Sequence, residues 1–351
     1  MKIGIVGLPN VGKSTLFKAL TKNPVEASNY PFCTIDPNVG IVEVPDNRLN
    51  KLTELYNSEK TVPAVIEFVD IAGLVKNAHK GEGLGNQFLS HIKEVDAIAH
   101  VIRNFHDDNI THVEGRIEPT DDLSTIETEL AMADISSLEK MIDKLDKKIK
   151  SNDKEASNQK NILDAILKDL GNDKKPNIGG LKQEDQKYAK GLNLLALKPE
   201  LYIENIDEKT LKDFKPTIPD SIPICAKLEA DLTDLSKKDS IDYLNELGIK
   251  KTGLDQLIIE SYKLLNLITF FTAGPKESHA WTIENDTKAP AAAGKIHTDF
   301  ERGFIRAEII NWQNLVDEGG ETAAKEKGLM KIEGKDYTVK DGDVAYFRFS
   351  T

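Results

Sequence analysis

Apolar and polar residues alternate in two periods along the chain, and the change of period divides it. Lys2 to Val6 is a short apolar run leading into glycine, which predicts a buried strand, and residues 10–20 open a helix. Ile41-Val42-Glu43-Val44 alternates as a strand and stops at Pro45-Asp46. Val65 to Val69 predicts another strand, ending at Asp70; residues 87–95 a helix; and Ala97 to Ile102 a further strand. Strands alternating with helices predict a mostly parallel α/β sheet wound on both sides.

The period changes after Ser124. Ile135, Leu138, Ile142, Leu145 and Ile149 step by three and four, the seam of a coiled coil. A polar stretch from Ser151 to Gln159 follows, and then a second stripe at Ile162, Leu163, Ile166, Leu167 and Leu170. Two amphipathic helices about a polar connector predict an antiparallel hairpin, either projecting from the body or packed on the sheet. Leu201 to Ile203 and Ile222 to Cys225 resume the strand pattern and residues 253–267 read as a helix, so the hairpin is an insertion. From Ile268 onward the chain is strand-rich, which predicts a small α+β module. The expected boundaries are 1–123 with 199–265 for the α/β domain, 124–198 for the insertion and 266–351 for the module.

Composition narrows this picture. The chain has 351 residues, enough for two or more domains, with 39% hydrophobic and 30% charged positions. Cys33 and Cys225 are too few for a disulfide framework, and no apolar run approaches the ~20 residues of a membrane span, so a soluble, cytoplasmic protein with no membrane contact is expected. Net charge is -12, which excludes a uniformly basic face for nucleic acid. Residues 124–198 carry 14 Lys against 13 Asp and Glu, whereas residues 266–351 carry 11 Lys and Arg against 14 Asp and Glu. Any contact with a polyanion is therefore local.

The chemistry concentrates near the N-terminus. Gly7-Leu8-Pro9-Asn10-Val11-Gly12-Lys13-Ser14 fits the phosphate-binding loop G-x-x-x-x-G-K-[ST] in full, between a strand and a helix. Backbone N–H groups of Asn10 to Thr15 face a phosphate in such a loop. Lys13 reaches the outer phosphates, and Ser14 ligates Mg²⁺. Asp70 at a strand end completes the metal set, and the Gly73 N–H can meet the γ-phosphate. Thr34, between the two motifs, is the candidate metal-ligating switch residue. Two features depart from ordinary GTPases. Leu74 stands where a water-orienting Gln is usual and has no hydrogen-bonding group. Asn205-Ile206-Asp207-Glu208 stands at the guanine-reading N-K-x-D position, so paired acceptance from guanine N1–H and its 2-amino group is not reproduced simply.

On these residues the chain resembles the YchF/Obg-like ATPases, from end to end. The resemblance covers Gly7 to Thr15, Tyr30 to Ile35, Asp70 to Val75 continuing through Gly81 to Asn86, Asn205 with Glu208, and Phe271 to Glu277. It implies a P-loop NTPase domain, an inserted coiled coil and a C-terminal TGS domain of ubiquitin-like β-grasp fold. It also implies a preference for ATP over GTP and association with ribosomes. Cys225-Ala226-Lys227 looks like the family's last base-contacting loop, which places the Ala226 N–H at the base. In cation-dependent relatives an Asn at the position of Asn10 helps hold K⁺, an activating cation here; the alternative is an amide bonded to backbone. His112 is the first choice to replace the missing Gln, with His79 and His106 as alternatives, since imidazole orients water or accepts its proton near neutral pH. The segment from His297 to Glu308 resembles the TGS signature, in which Arg302 and Arg306 either contact RNA phosphate or form surface ion pairs.

The leading reading is an ATP-hydrolysing switch docked on the ribosome through coiled coil and TGS domain. Two others stay open: a nucleotide-gated binding protein whose turnover is incidental, and a GTPase with relaxed base recognition.

Overall fold

A computed structural model describes residues 1–22, 38–72, 84–111, 115–151, 153–249 and 251–350, with backbone alone at 84–87 and 237. The chain begins with β1 (Lys2–Val6), α1 (Lys13–Thr21), β2 (Val39–Glu43), α2 (Asn47–Tyr56), β3 (Lys60–Val62), β4 (Val65–Asp70), α3 (Leu84–Glu94) and β5 (Ala97–Asn104). There follow α4 (Pro119–Ile149), α5 (Lys154–Leu170), α6 (Gln183–Gly191), β6 (Glu200–Ile206), β7 (Ile222–Ile224), α7 (Ala226–Leu232), α8 (Lys237–Leu247) and α9 (Gly253–Leu264). The last elements are β8 (Leu267–Thr272), β9 (Glu277–Glu284), α10 (Ala289–Ile296), α11 (Thr298–Arg302), β10 (Phe304–Asn311), α12 (Trp312–Asp317), α13 (Glu321–Glu326), β11 (Lys331–Glu333) and β12 (Asp343–Phe349).

Two compact units result. The described parts of one are Met1–Lys22, residues 38–40 and most of Phe68–Gly253; the other holds Ile41–Glu67 and Leu254 to residue 350. The division passes through β2 and β4. It also assigns α2 and β3 to the same unit as the C-terminal strands, a grouping that the 266–351 boundary does not contain.

The first sheet has the order β2-β4-β1-β5-β6-β7, with β1, β5, β6 and β7 parallel. Its central strands β1 and β5 are buried on both faces, as a sheet covered on two sides requires: Ile3, Ile5, Val6, Ile98 and Val101 are all buried. Parallel pairing brings the C-terminal ends of these strands to one edge, where sites form in doubly wound folds.

The inserted hairpin has its own core. Leu138 and Leu145 of α4, with Ile135, Ile142 and Ile149 partly covered, meet Ile162, Leu163, Ile166 and Leu170 of α5. The polar stretch expected as connector is mostly helix. Asp153 caps α5 by accepting from the N–H groups of Glu155 and Ala156, which starts that helix at Lys154, inside the polar stretch. Nearer the body, buried Asp134 accepts from the backbone of Leu195 and Ala196 at 3.0 and 2.8 Å.

In the second unit the sheet order is β11-β10-β12-β8-β9-β3. A β8–β9 hairpin, a helix, and β12 inserted parallel to β8 make the β-grasp arrangement. Its helix-side core joins Phe270, Ile283, Ala292, Phe304 and Ala345. β3 then lies parallel to β9 at the sheet's end, with Lys60 opposite Glu277.

Candidate nucleotide site

The loop after β1 is shaped by glycine where nothing else fits. A Cβ on Gly7 would lie 2.7 Å from the Val101 carbonyl and 2.8 Å from Val11. Asn10 and Gly12 both have left-handed backbone, at φ 65° and 90°. Reversing the backbone hand at these two residues lets neighbouring N–H groups converge, the geometry of an anion nest. Gly12 caps α1 with no side-chain hydrogen bond, so the first N–H groups of that helix are left for a ligand. Ser14 and Thr15 are exposed at the same end, and Lys13 is ion-paired with Asp70.

Facing the loop are the ends of β6 and β7. Asn205 lies inside β6 rather than after it, and is buried. Its Nδ2 donates to the Val11 carbonyl at 2.9 Å, and its Oδ1 accepts from the Ala226 N–H at 3.0 Å. One amide thus ties the phosphate loop to the loop after β7. Asp207 accepts from the His106 N–H at 3.1 Å, and Glu208 accepts from the Tyr243 hydroxyl at 2.8 Å. Burial pushes the Cys225 thiol up, so that side chain presents a protonated, weakly polar wall.

A third segment follows β5. Buried Arg103 donates to the carbonyls of Phe105, Asp107 and Ile110 and lies 4.5 Å from the Phe105 ring centre. This holds residues 105–110 in place. From that segment the Thr111 carbonyl accepts from Asn10 Nδ2 at 3.1 Å, so the Asn10 amide is bonded to backbone and only its Oδ1 remains for a cation. Sequence reasoning overlooked Arg103. The signal was a cation at the end of β5 after six buried residues, five of them apolar, where an unpaired charge would be costly. Glu204 was overlooked too: it is buried in β6 and accepts from Asn104, Thr217, Ile218 and Ser221, fixing the neighbouring loop.

Together these walls enclose a cavity of about 960 Å³. Asn10, Gly12, Lys13, Ser14 and Thr15 of the phosphate loop and α1 line it together with Asn205, Glu208, Cys225 and Ala226, and exposed His106 lines it as well. Val11 contributes its carbonyl, while its side chain is buried. Thr34, Gly73, Leu74, His79 and His112 lie outside the described residues.

The donors suit a hard divalent ion. The Ser14 hydroxyl lines the cavity, and the Asp70 carboxylate is paired with Lys13, which also lines it; both are hard oxygen donors. Among the described residues no cluster of three or more His, Cys, Asp or Glu could cage a metal alone. A site that supplies one or two oxygens and leaves the rest to phosphate and water fits Mg²⁺. Among the described residues no helix is long and apolar enough to cross a membrane.

Comparison with known proteins agrees with this geometry. Residues 2–167 match the family described as "50S ribosome-binding GTPase", and residues 267–350 match that of the YchF GTPase C-terminal region, described as a protein of unknown function. The ribosome-binding ATPase YchF of Bacillus subtilis is 51% identical over 99% of this chain and 98% of its own length. That of Haemophilus ducreyi is 50% identical over 99% of each. The solved Schizosaccharomyces pombe YchF GTPase superposes with a TM-score of 0.88 at 37% identity, covering 99% of this chain and 97% of its own. A GTP-binding protein of Pyrococcus horikoshii shares the fold, with a TM-score of 0.60 at 20% identity. P-loop, inserted hairpin and β-grasp unit are thereby matched over the full length: the chain belongs to the YchF family, whose nucleotide domain implies a divalent metal.

Proposed function

We propose that this protein hydrolyses ATP to ADP and phosphate and uses the nucleotide to control its association with the ribosome. The observation that carries this is the single cavity joining the phosphate loop to Asn205, Glu208 and Ala226. The curated relatives carry the names of ribosome-binding ATPases, at about half identity over the full chain. ATP is bound in preference to GTP, with the triphosphate at Asn10 to Thr15 and the base near Asn205, Glu208 and Ala226. Ser14, Asp70 and Thr34 would hold Mg²⁺, which would neutralise phosphate charge. Lys13 then leaves Asp70 for the outer phosphates. Gly73 donates to the γ-phosphate, and His112 orients the attacking water in place of Leu74. Asn10 Oδ1 would help hold K⁺ as an activating cation. Residues 1–123 with 199–265 form the catalytic domain. The hairpin at 124–198 and the module at 266–351 dock on the ribosome in the cytoplasm, with RNA contact confined to local groups such as Arg302. Arg306 lies 3.9 Å from Glu308, which favours a surface ion pair at that position.

Names among the relatives divide between ATPase and GTPase, so the deciding measurement is calorimetric titration of ATP and GTP with Mg²⁺ present. Tighter ATP binding is expected, and tighter GTP binding refutes the reading. In the same assay His112→Ala should keep its ATP affinity while kcat falls ~10²-fold or more, the loss typical for a general base. Unchanged turnover would remove His112 from the mechanism.

A further inference from the structure

Resting on the reading of the cavity as an adenine site, we infer that Tyr243 is a specificity-determining residue: by occupying one oxygen of Glu208 it disfavours guanine and leaves a single acceptor for adenine. Tyr243 lies on α8, whose ends are set by Ser236, which accepts from the Asp239 N–H, and by Gly248 in left-handed conformation. Leu244 and Leu247 pack that helix on Cys225, Leu228 and Leu232, in the same unit as the cavity. The hydroxyl donates to Glu208 Oε1 at 2.8 Å. Glu208 lines the cavity and Tyr243 does not, so Oε1 is drawn toward α8 and Oε2 remains for a base edge. The hydrogen bond to Glu208 also raises the phenol's pKa, so it stays a donor across the physiological range.

Base chemistry makes this arrangement selective. Guanine presents two adjacent donors, N1–H and its 2-amino group, and a carboxylate matches them only with both oxygens turned to the base. Adenine presents one donor, the 6-amino group, beside the N1 lone pair. Two oxygens against that edge would set one of them against N1, whereas a single oxygen accepts from the amino group without repulsion. A carboxylate tethered from behind is therefore suited to adenine and mismatched to guanine. The sequence around residue 208 carries no trace of the device, because the donor comes from a helix 35 residues further on.

The test is Tyr243→Phe, which deletes one oxygen and keeps the ring. Dissociation constants for ATP, GTP and inosine triphosphate are measured calorimetrically on the full chain and the variant. Inosine shares guanine's N1–H and lacks the 2-amino group. With Glu208 released, GTP should tighten by about tenfold, inosine triphosphate by distinctly less, and ATP should weaken by no more than about threefold. If the full chain prefers ATP and the variant keeps the same ATP-to-GTP ratio, the role of Tyr243 is overturned while the adenine reading stands. Equal gains for GTP and inosine triphosphate overturn it as well, since paired acceptance would not be their source. If the unaltered protein prefers GTP, both readings fall together.

Discussion

The amide of Asn205 is bonded at both ends to backbone, to the Val11 carbonyl and the Ala226 N–H. It thus holds two loops at a fixed separation. A buried side chain in that position is exacting, because removing it strands a carbonyl and an N–H out of reach of water. Asn205→Ala should cost about 2–4 kcal/mol of stability and weaken all nucleotides together, ATP and GTP alike. Urea unfolding and paired titrations measure both, and a change in the ATP-to-GTP ratio would instead make Asn205 a base reader. At this scale the turn of the phosphate loop was legible, since the spacing of Gly7 and Gly12 matches the close backbone approach at the first and the left-handed φ at the second. Asn205 was legible as important, but its partners are 194 and 21 residues away, and no local pattern encodes them. Arg103 was missed because a charge at a strand end looks solvated until its three carbonyl partners are placed.

Where the hairpin leaves the sheet, Glu200 at the start of β6 gathers charges from several elements. Its carboxylate accepts from Lys175 at 2.5 Å and from the Tyr202 hydroxyl at 3.0 Å, and buried His100 of β5 lies 3.8 Å away. Burial alone would favour the neutral acid, but His100 and Lys175 outweigh it and hold the carboxyl at about 2. Burial, reinforced by Glu200, pushes the neighbouring Glu127 carboxyl up. A carboxyl whose folded pKa lies below its unfolded value stabilises the fold above the unfolded pKa. That contribution is lost as pH falls from about 4.5 through about 2. A shift of this size corresponds to about 3 kcal/mol. Chemical denaturation of the protein and of Glu200→Gln between pH 7 and pH 2 should show the two stability curves converging at acid pH. Parallel curves would remove Glu200 as the acid-sensitive group. At the scale of elements, the heptad seam of α4 and α5 was legible because five apolar residues repeat along it. The start of α5 was not, because one capping carboxylate at Asp153 decides it against a polar composition.

Across the whole chain, sequence order and structural units do not coincide. The β-grasp strands from Leu267 onward were legible as a strand-rich tail, but α2 and β3 lie more than 200 residues earlier and belong to the same unit. Their attachment is specific. β3 pairs with the edge of β9, the Glu59 N–H donates to the Pro275 carbonyl at 2.9 Å, and the Ser58 hydroxyl meets Gly274 and Ser278 at 2.8 Å. Arg48 of α2 reaches Asp341 at 2.6 Å with its guanidinium 5.2 Å from the Phe271 ring centre, and the Tyr56 hydroxyl lies 2.9 Å from that of Tyr346. These contacts cover the sheet face opposite α10, while Leu49, Leu52 and Val62 are buried. A fragment of residues 266–351 alone would expose that face and leave the β9 edge unpaired, a template for aggregation. Burial of three aliphatic side chains is worth about 5 kcal/mol, comparable with the whole stability of a small domain. The fragment should therefore unfold at much lower urea than one in which residues 41–67 are joined by a flexible linker to residues 254–351. Equal urea midpoints for the two would show that the β-grasp strands stand without α2 and β3. A lower midpoint for 266–351 would mean that the C-terminal module is completed by a segment drawn from within the first 70 residues, and that truncation at the sequence boundary removes part of its core.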